Sequence, residues 1–363
     1  MLDTVERTAS RLGRASAFDI EIAGIATALP DNRIDQEEVR QRARTVYPQF
    51  AHVDQIYMNT GISSRYFCQP TEWYESPHTW EERTAVFQKY ALDLLERAAV
   101  EAVAKAGIRI DEIDAIVVNT ITGLAVPSLD ARLMNRLPFA SHTERWPIFG
   151  IGCGGGVAGL ARAARIADTM PEGNVLFLTV DLCSLCLRVN DPSMAMFVSL
   201  ALFGDGAAAV VLRNTGGDRS SGNPRLLASG DHFWNKTEHI MGWDIKNDGF
   251  GIVLSPLLPA LMQERFAPAL DHFLERAGYS RSEFSGYLLH PGGGKILDVA
   301  DKVLNLAPDV LRPSRETLRD YGNMSSVTAM FVLKNAIETG RSGRELLAAF
   351  GPGFSAYFAV LDL

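Results

Sequence analysis

Part of this chain occurs twice, and that repetition limits the folds open to it more than any other feature. Residues 106–123, "AGIRIDEIDAIVVNTITG", match residues 277–294, "AGYSRSEFSGYLLHPGGG", at a constant offset of 171. Each copy reads as a helix end, a glycine, a turn with an acidic residue, an apolar strand and a glycine-containing loop. Asn119 in the first copy falls opposite His290 in the second. Two further pairs follow in the same order. "FGIGC" (149–153) corresponds to "YGNMS" (321–325), and "LFGDGAAAVVL" (202–212) to "AFGPGFSAYFAVL" (349–361). One short pair arises easily by chance, but three in the same order are harder to dismiss. The pattern predicts two similar α/β halves.

The elements between the repeats agree. "IDAIVVNT", "NVLFLTVD" and "GAAAVVL" are short continuous apolar runs, as expected of strands buried on both faces. "FDIEIAGIATALPD" reads as a strand ending at Pro30, and "QEEVRQRARTVYP" as a helix. "AVFQKYALDLLERAAVEAVAKAG" carries apolar residues at helical spacing and closes at Gly107. The polar stretch "RNTGGDRSSGNP" (213–224) reads as the join. We therefore expect a polar arm over 1–17, a first half over 18–220 and a second over 221–363. A site at the interface of the halves would draw loops from both.

Composition removes several classes of function. Net charge is −8 over 363 residues and no Lys/Arg block stands out, so nucleic acid is not an expected partner. The N-terminus has no apolar signal region, and no run reaches the roughly 18 apolar residues that span a bilayer. Four cysteines do not make a disulfide framework. The expectation is a cytoplasmic protein with reduced thiols and no membrane span.

The stretch "FGIGCGGGVAGLARAARIAD" (149–168) has two readings. Gly150, Gly152 and Gly155 give G-x-G-x-x-G ahead of a helix, and Asp181 ends a strand 26 residues after Gly155, as in a dinucleotide site. That fingerprint normally opens the first βαβ unit, however, and here it lies about 150 residues into the chain. The other reading is a tight turn that presents Cys153. At a helix N-terminus the backbone N–H groups and helix dipole stabilise an anion, so the turn is expected to lower the thiol's pKa. A small buried cysteine would fit the same turn.

Three more positions carry possible chemistry. His290 ends the strand "GYLLH" and meets "PGGG", whereas the other six histidines lie in polar or helical contexts. Asn323 stands at a turn before a helix, where it is either an N-cap or an amide donor to an oxyanion. It corresponds in the repeat to the Cys153 turn, so Cys153, His290 and Asn323 could converge between the halves. Phe203 precedes a Gly-Asp-Gly turn as a core aromatic or as a wall beside the cysteine. "CSLC" (183–186) has no second Cys pair for zinc, so Cys183 and Cys186 read as pocket or core lining and no metal is expected.

With these residues in place, the sequence from about residue 20 onward resembles the type III polyketide synthases, the chalcone-synthase-like branch of the thiolase fold. The resemblance is carried by "GCGGG" around Cys153, "ALFGDGAAAVV" with Phe203, "LLHPGGGKILD" with His290, "YGNMSS" with Asn323 and the closing "FGPGF". "GISSRYF" (61–67) and "TGLAVPSLDARL" (122–133) resemble family segments at the same places. It implies an α/β thiolase-like fold, two similar α/β halves packed as a five-layered αβαβα core.

It also implies a reaction. Cys153 takes an acyl group from acyl-CoA, with His290 holding its thiolate as an ion pair. His290 and Asn323 hold the enolate formed when malonyl-CoA loses CO2. Phe203 orients malonyl and separates the CoA tunnel from the cavity. CoA thioesters are the substrates, and neither metal nor organic cofactor is needed. Cys183 and Cys186 stand where plant enzymes carry pocket threonines, and Thr122, Ile252, Ser325 and Gly293 join them as substrate-pocket positions. Arg65 lies in the segment with which plant enzymes hold CoA phosphates. Val126 reaches into the partner subunit, which implies a homodimer.

"IMGWDIKNDGFGIVLS" is similar to bacterial members, several of which take long fatty acyl starters, so the product leaned towards is an alkylpyrone or alkylresorcinol. Ketoacyl-acyl-carrier-protein synthase III, which condenses once, is the nearest alternative. A nucleotide-dependent oxidoreductase built on G-x-G-x-x-G is the distant one.

Overall fold

The two halves meet along one strand. In the computed structural model, which describes residues 16–363, β1 (Ser16–Ala28) pairs on one side with β7 (Asp205–Arg213) and on the other with β8 (Arg225–Phe233), antiparallel in both cases. Beyond β7 lie β6 (Asn174–Leu182), β4 (Ala115–Thr120) and β5 (Glu144–Phe149). Beyond β8 lie β13 (Ser355–Asp362), β12 (Arg344–Gly351) and β11 (Gly286–Leu289). Counted outward from the seam, β1, β7, β6 and β4 mirror β8, β13, β12 and β11. The senses match too. β6–β7 and β12–β13 are antiparallel, and β4–β6 and β11–β12 are parallel. The repeat in sequence is thus a repeat in topology, although the nine strands are hydrogen-bonded as one sheet. Outside that sheet, β2 (Asn32–Asp35) pairs with β3 (Ser64–Phe67), and β9 (Met241–Lys246) with β10 (Gly249–Leu254).

Within the sheet only β5 lacks a counterpart. The residues that match it by sequence, at "YGNMS", follow a helix, Arg312–Tyr321, in place of a strand. The arm expected over 1–17 falls outside the described residues except for Ser16 and Ala17, and these already open β1 opposite Ser229 and Ala228.

The helices complete five layers. We number them α1 (Gln36–Val46), α2 (Trp80–Lys105), α3 (Leu129–Met134), α4 (Gly155–Asp168), α5 (Met194–Leu202), α6 (Leu258–Ala277), α7 (Gly294–Leu304), α8 (Arg312–Tyr321) and α9 (Thr328–Glu338). α2 starts at a Thr79/Glu82 capping box and packs Leu95, Ala98 and Ala102 on the outer face of the first half. α6 and α7 do the same for the second half through Phe266, Leu270 and Leu297. α4 and α9 fill the middle, where Val157, Leu160, Met330 and Leu333 share one core. Among the described residues no helix is long and apolar enough to cross a membrane.

The middle layer is closed by missing side chains. A Cβ on Gly156 would lie 2.1 Å from the Ser326 carbonyl oxygen, and one on Gly159 would lie 2.4 Å from the Phe177 ring. Backbone cannot yield as a flexible side chain can. Gly156→Ala is therefore expected to destabilise the fold by about 1–3 kcal/mol, as overpacked cores do. A urea midpoint equal to the parent's would contradict this packing.

Candidate active site

The Cys153 turn is built from glycine because its backbone demands it. After β5 the chain reverses through Gly150 (φ +94°) and Gly152 (φ +56°), both in the left-handed region that glycine tolerates. One 3₁₀ turn, Gly152–Gly154, then leads into α4. The glycines from 152 to 155 admit close neighbours from both halves of the protein. A Cβ on Gly152 would lie 2.4 Å from Pro352, on Gly154 2.4 Å from Tyr357, and on Gly155 2.5 Å from the Asn119 amide.

Asp181, the acid of the dinucleotide reading, is fully buried. It accepts hydrogen bonds from the Ile121 N–H (2.8 Å), the Ser326 N–H (3.0 Å) and the Thr120 and Thr122 hydroxyls (3.3 Å each). The Ser326 hydroxyl donates to it as well. Its acceptor sites are thus occupied by protein donors, and it ties the end of β4 to the loop before α9. The turn aims a side chain, and the nucleotide reading is set aside.

His290 follows β11 directly, with its N–H donating to the Ala348 carbonyl at 2.8 Å. The Asn323 side chain is held at both ends. Its Nδ2 donates to the Gly292 carbonyl (3.2 Å), and its Oδ1 accepts the Ser325 N–H (2.8 Å). Nδ2 keeps a second hydrogen, so the amide retains a donor. The Asn323 backbone is laced to the end of α5. Its N–H donates to Leu202 O (2.9 Å), and the Gly204 N–H donates to Asn323 O (3.0 Å).

Cys153, His290, Asn323 and Phe203 line one cavity of about 490 Å³ whose other walls include Leu202 and Ile296. A second cavity of about 450 Å³ contains Cys183, Ile252, Trp243 and Ser325. Cys153, Phe203, Met241 and Leu254 line both.

The site is buried, and this reverses one expectation. Cys153 is only 9% exposed, and burial pushes its thiol up to about 12, against the pull of hydrogen bonds from Ser325 and Asn323. The position at the helix start does not lower it, because desolvation outweighs the dipole. Burial likewise pushes the His290 imidazole down to about 4. Both of its ring nitrogens are buried without a hydrogen-bond partner among the described residues. Such orphaned groups are rare in finished cores and mark a place prepared for something else. Thiol and imidazole therefore rest neutral, and the imidazole is free to accept a proton.

A base acts only while unprotonated. If His290 is the base, loading should weaken as pH falls through about 4, and not through the ordinary histidine value of about 6.5. kcat/KM for the starter is expected to be flat from about pH 5 to 8, and an acid limb near 6.5 would contradict that environment.

The remaining pocket expectations divide. Phe203, Cys183, Ile252 and Ser325 line the cavities at Cys153. Cys186 is buried but lines neither. Thr122 faces a separate cavity with Arg83 and Phe250, and its hydroxyl is engaged by the Leu182 N–H (2.8 Å) and Asp181. Gly293 lies beside the cavity-lining Gly292 and lines neither cavity. Val126 is 94% exposed and lines neither. Arg65 requires correction. It is fully buried, with its guanidinium bonded to backbone carbonyls, so it cannot reach a CoA phosphate.

Sequence reasoning also missed the cavity's cover. Met241, Trp243, Ile252 and Leu254 come from the β9–β10 hairpin, of which only Ile252 had been singled out. Asn247-Asp248 between two apolar-rich runs is the signal that could have found it.

A thiolase-like fold with a cysteine, a histidine and an asparagine meeting between its halves defines a class of condensing enzyme, and the comparisons narrow it. Residues 7–216 match the chalcone and stilbene synthase N-terminal domain, and residues 225–361 match the C-terminal domain. The chain is 34% identical over 351 residues to a putative chalcone synthase of Bacillus subtilis, covering 92% of this chain and 96% of that one. It is 35% identical to 1,3,6,8-tetrahydroxynaphthalene synthase of Streptomyces peucetius, covering 94% and 92%. The crystal structure of the Streptomyces coelicolor tetrahydroxynaphthalene synthase, described as a bacterial type III polyketide synthase, superposes with a TM-score of 0.89. It is 32% identical, with coverage of 95% and 99%.

The chain belongs to the chalcone and stilbene synthase family. It is a type III polyketide synthase, an acyltransferase of decarboxylative Claisen condensation, in a family that uses CoA thioesters and needs no further cofactor.

Proposed function

We propose that the chain loads a fatty acyl group from acyl-CoA on Cys153, extends it with malonyl-CoA and cyclises the product to an alkylpyrone or alkylresorcinol. The observation that supports this reading is the pair of cavities meeting at Cys153. One holds His290 and Asn323, and the other is walled by Trp243, Ile252 and Leu254. The first brings an imidazole and an amide to the cavity that the sulfur lines, and the second adds apolar walls for a growing chain.

In this mechanism His290 takes the Cys153 proton as sulfur attacks the starter thioester. The C–S bond to CoA breaks, and the imidazolium returns the proton to the departing CoA thiolate. Malonyl-CoA then loses CO2. The electron pair of the broken C–C bond moves onto the thioester oxygen, where His290 and Asn323 donate to it. The enolate carbon attacks the Cys153 thioester, a C–C bond forms, and the Cys153 sulfur leaves. Phe203, on the wall of both cavities, orients the malonyl group.

The same reading divides the chain into halves at 18–220 and 221–363 and makes it a homodimer. The almost fully exposed Val126 supports the dimer. So does the open edge strand β5, on which Trp146 and Phe149 stand about half exposed. Sedimentation should give the mass of two chains, and a single-chain mass contradicts the dimer.

A second reading, a small polyhydroxylated aromatic product, is favoured by the likeness to enzymes named for tetrahydroxynaphthalene. Mass spectrometry of products from malonyl-CoA with a graded series of acyl-CoA starters decides between them. Alkylpyrones or alkylresorcinols that grow with the starter support the first reading. One aromatic product that forms equally well from malonyl-CoA alone supports the second. A single ketoacyl thioester contradicts both.

A further inference from the structure

Arg65 lies in β3, and its whole guanidinium is directed at one helix end. Nη1 donates to the Leu200 carbonyl (2.7 Å) and to the Phe203 carbonyl (3.1 Å), and Nη2 donates to the Ala201 carbonyl (2.9 Å). These are the last carbonyls of α5 and the residue that ends it, the groups a helix leaves unpaired and partly negative. The side chain is fully buried, pairs with no carboxylate among the described residues, and leaves Nε without a partner. A buried cation held only by carbonyls is costly to keep, so its surroundings must hold it firmly.

Those surroundings are the parts that carry Phe203 and Asn323. A Cβ on Gly204 would lie 3.2 Å from the Arg65 Cβ, and one on Gly322 would lie 3.4 Å from it. The arginine thus lies close beside the residue after Phe203 and the residue before Asn323, where only glycine leaves room for it. The two segments pair with each other as a single parallel β-bridge, Phe203 with Asn323. Asn323 hydrogen-bonds Leu202 and Gly204 through its backbone. The helix end that Arg65 holds is therefore the one that leads into Phe203 and pairs with the Asn323 backbone. None of the arginine's recorded hydrogen bonds goes to the Cys153 turn.

We propose that Arg65 is a positioning residue for the carbon–carbon bond-forming half of the reaction: through the joint it makes at the end of α5 it sets Phe203 and Asn323 against the malonyl thioester. The proposal rests on the roles given to Phe203 and Asn323 above. Starter loading rests on Cys153 and His290, to which Arg65 makes no hydrogen bond, so it should depend far less on this joint.

The test separates the two half-reactions in the full-length protein. Starter loading is read as the acyl adduct by intact mass after mixing with lauroyl-CoA, or with malonyl-CoA if the parent enzyme loads only that. Decarboxylation is read as CO2 released from carboxyl-labelled malonyl-CoA. In Arg65→Gln, loading should stay within about threefold of the parent while CO2 release and condensation fall at least about tenfold, as misplacement of reacting groups does. Gly204→Ala, whose added Cβ would also meet the Tyr321 carbonyl oxygen at 2.8 Å, strains the same joint from the other side and should show the same split.

Loading and decarboxylation falling in proportion, no change in either, or failure to recover both variants folded would overturn the proposal. Asn323→Ala is run in parallel. Normal condensation by that variant overturns the underlying roles, independently of what the arginine variants do.

Discussion

Cys153→Ala is expected to lower product formation from acyl-CoA and malonyl-CoA on the order of 10⁴-fold or more, the scale seen when a covalent nucleophile is removed. The size follows from the site. Cys183, the other cysteine lining the second of the two cavities, is fully buried, and burial raises its pKa well above the ordinary value. It starts from no better thiolate population and stands on the wall away from His290 and Asn323. The substitution removes one sulfur from a turn whose shape is set by Gly150 and Gly152, so the fold should survive. Near-normal turnover by a folded variant would remove Cys153 from the mechanism.

The second large effect is expected at Asn323. Asn323→Ala deletes the donor that the proposed mechanism places at the thioester oxygen, and loss of one oxyanion donor costs about 10²–10³ in rate. Loading of Cys153 should fall far less than condensation, because in the proposed mechanism His290 takes the thiol's proton and the amide adds only one hydrogen bond to the sulfur. The variant also frees the Ser325 N–H and the Gly292 carbonyl that the amide now holds, so a stability loss of about 1–3 kcal/mol should accompany it. Single-turnover loading followed by malonyl-CoA separates the two steps. Equal losses in both would assign Asn323 to the fold alone.

Much of the architecture was legible because the repeat and the buried strands are local signals. β4 and β11, the Gly107 stop and the Cys153 turn all lie where apolar runs and glycines put them. What was hidden depends on distance. β5 has a sequence match in the second half, but a helix occupies that place, since a five-residue motif does not carry the element before it. Arg65 reads from sequence as a basic residue available to phosphate, and only packing reveals that α5 ends on it. Helix dipoles can be read from a turn, whereas desolvation cannot, so the expected lowering of the Cys153 pKa had the wrong sign. Thr122 and Cys186 neighbour the right segments, but their side chains face other surroundings.

In this mechanism the acyl group of a CoA thioester is carried on Cys153 and consumed by the enolate of malonyl-CoA. The most direct test is rapid-quench peptide mass spectrometry after mixing the protein with an acyl-CoA it accepts, followed by a malonyl-CoA chase. An acyl increment is expected on the peptide containing Cys153 and on no other, discharged by the chase at a rate that matches product formation. An increment on Cys183, or steady product formation with no increment on Cys153, would contradict it.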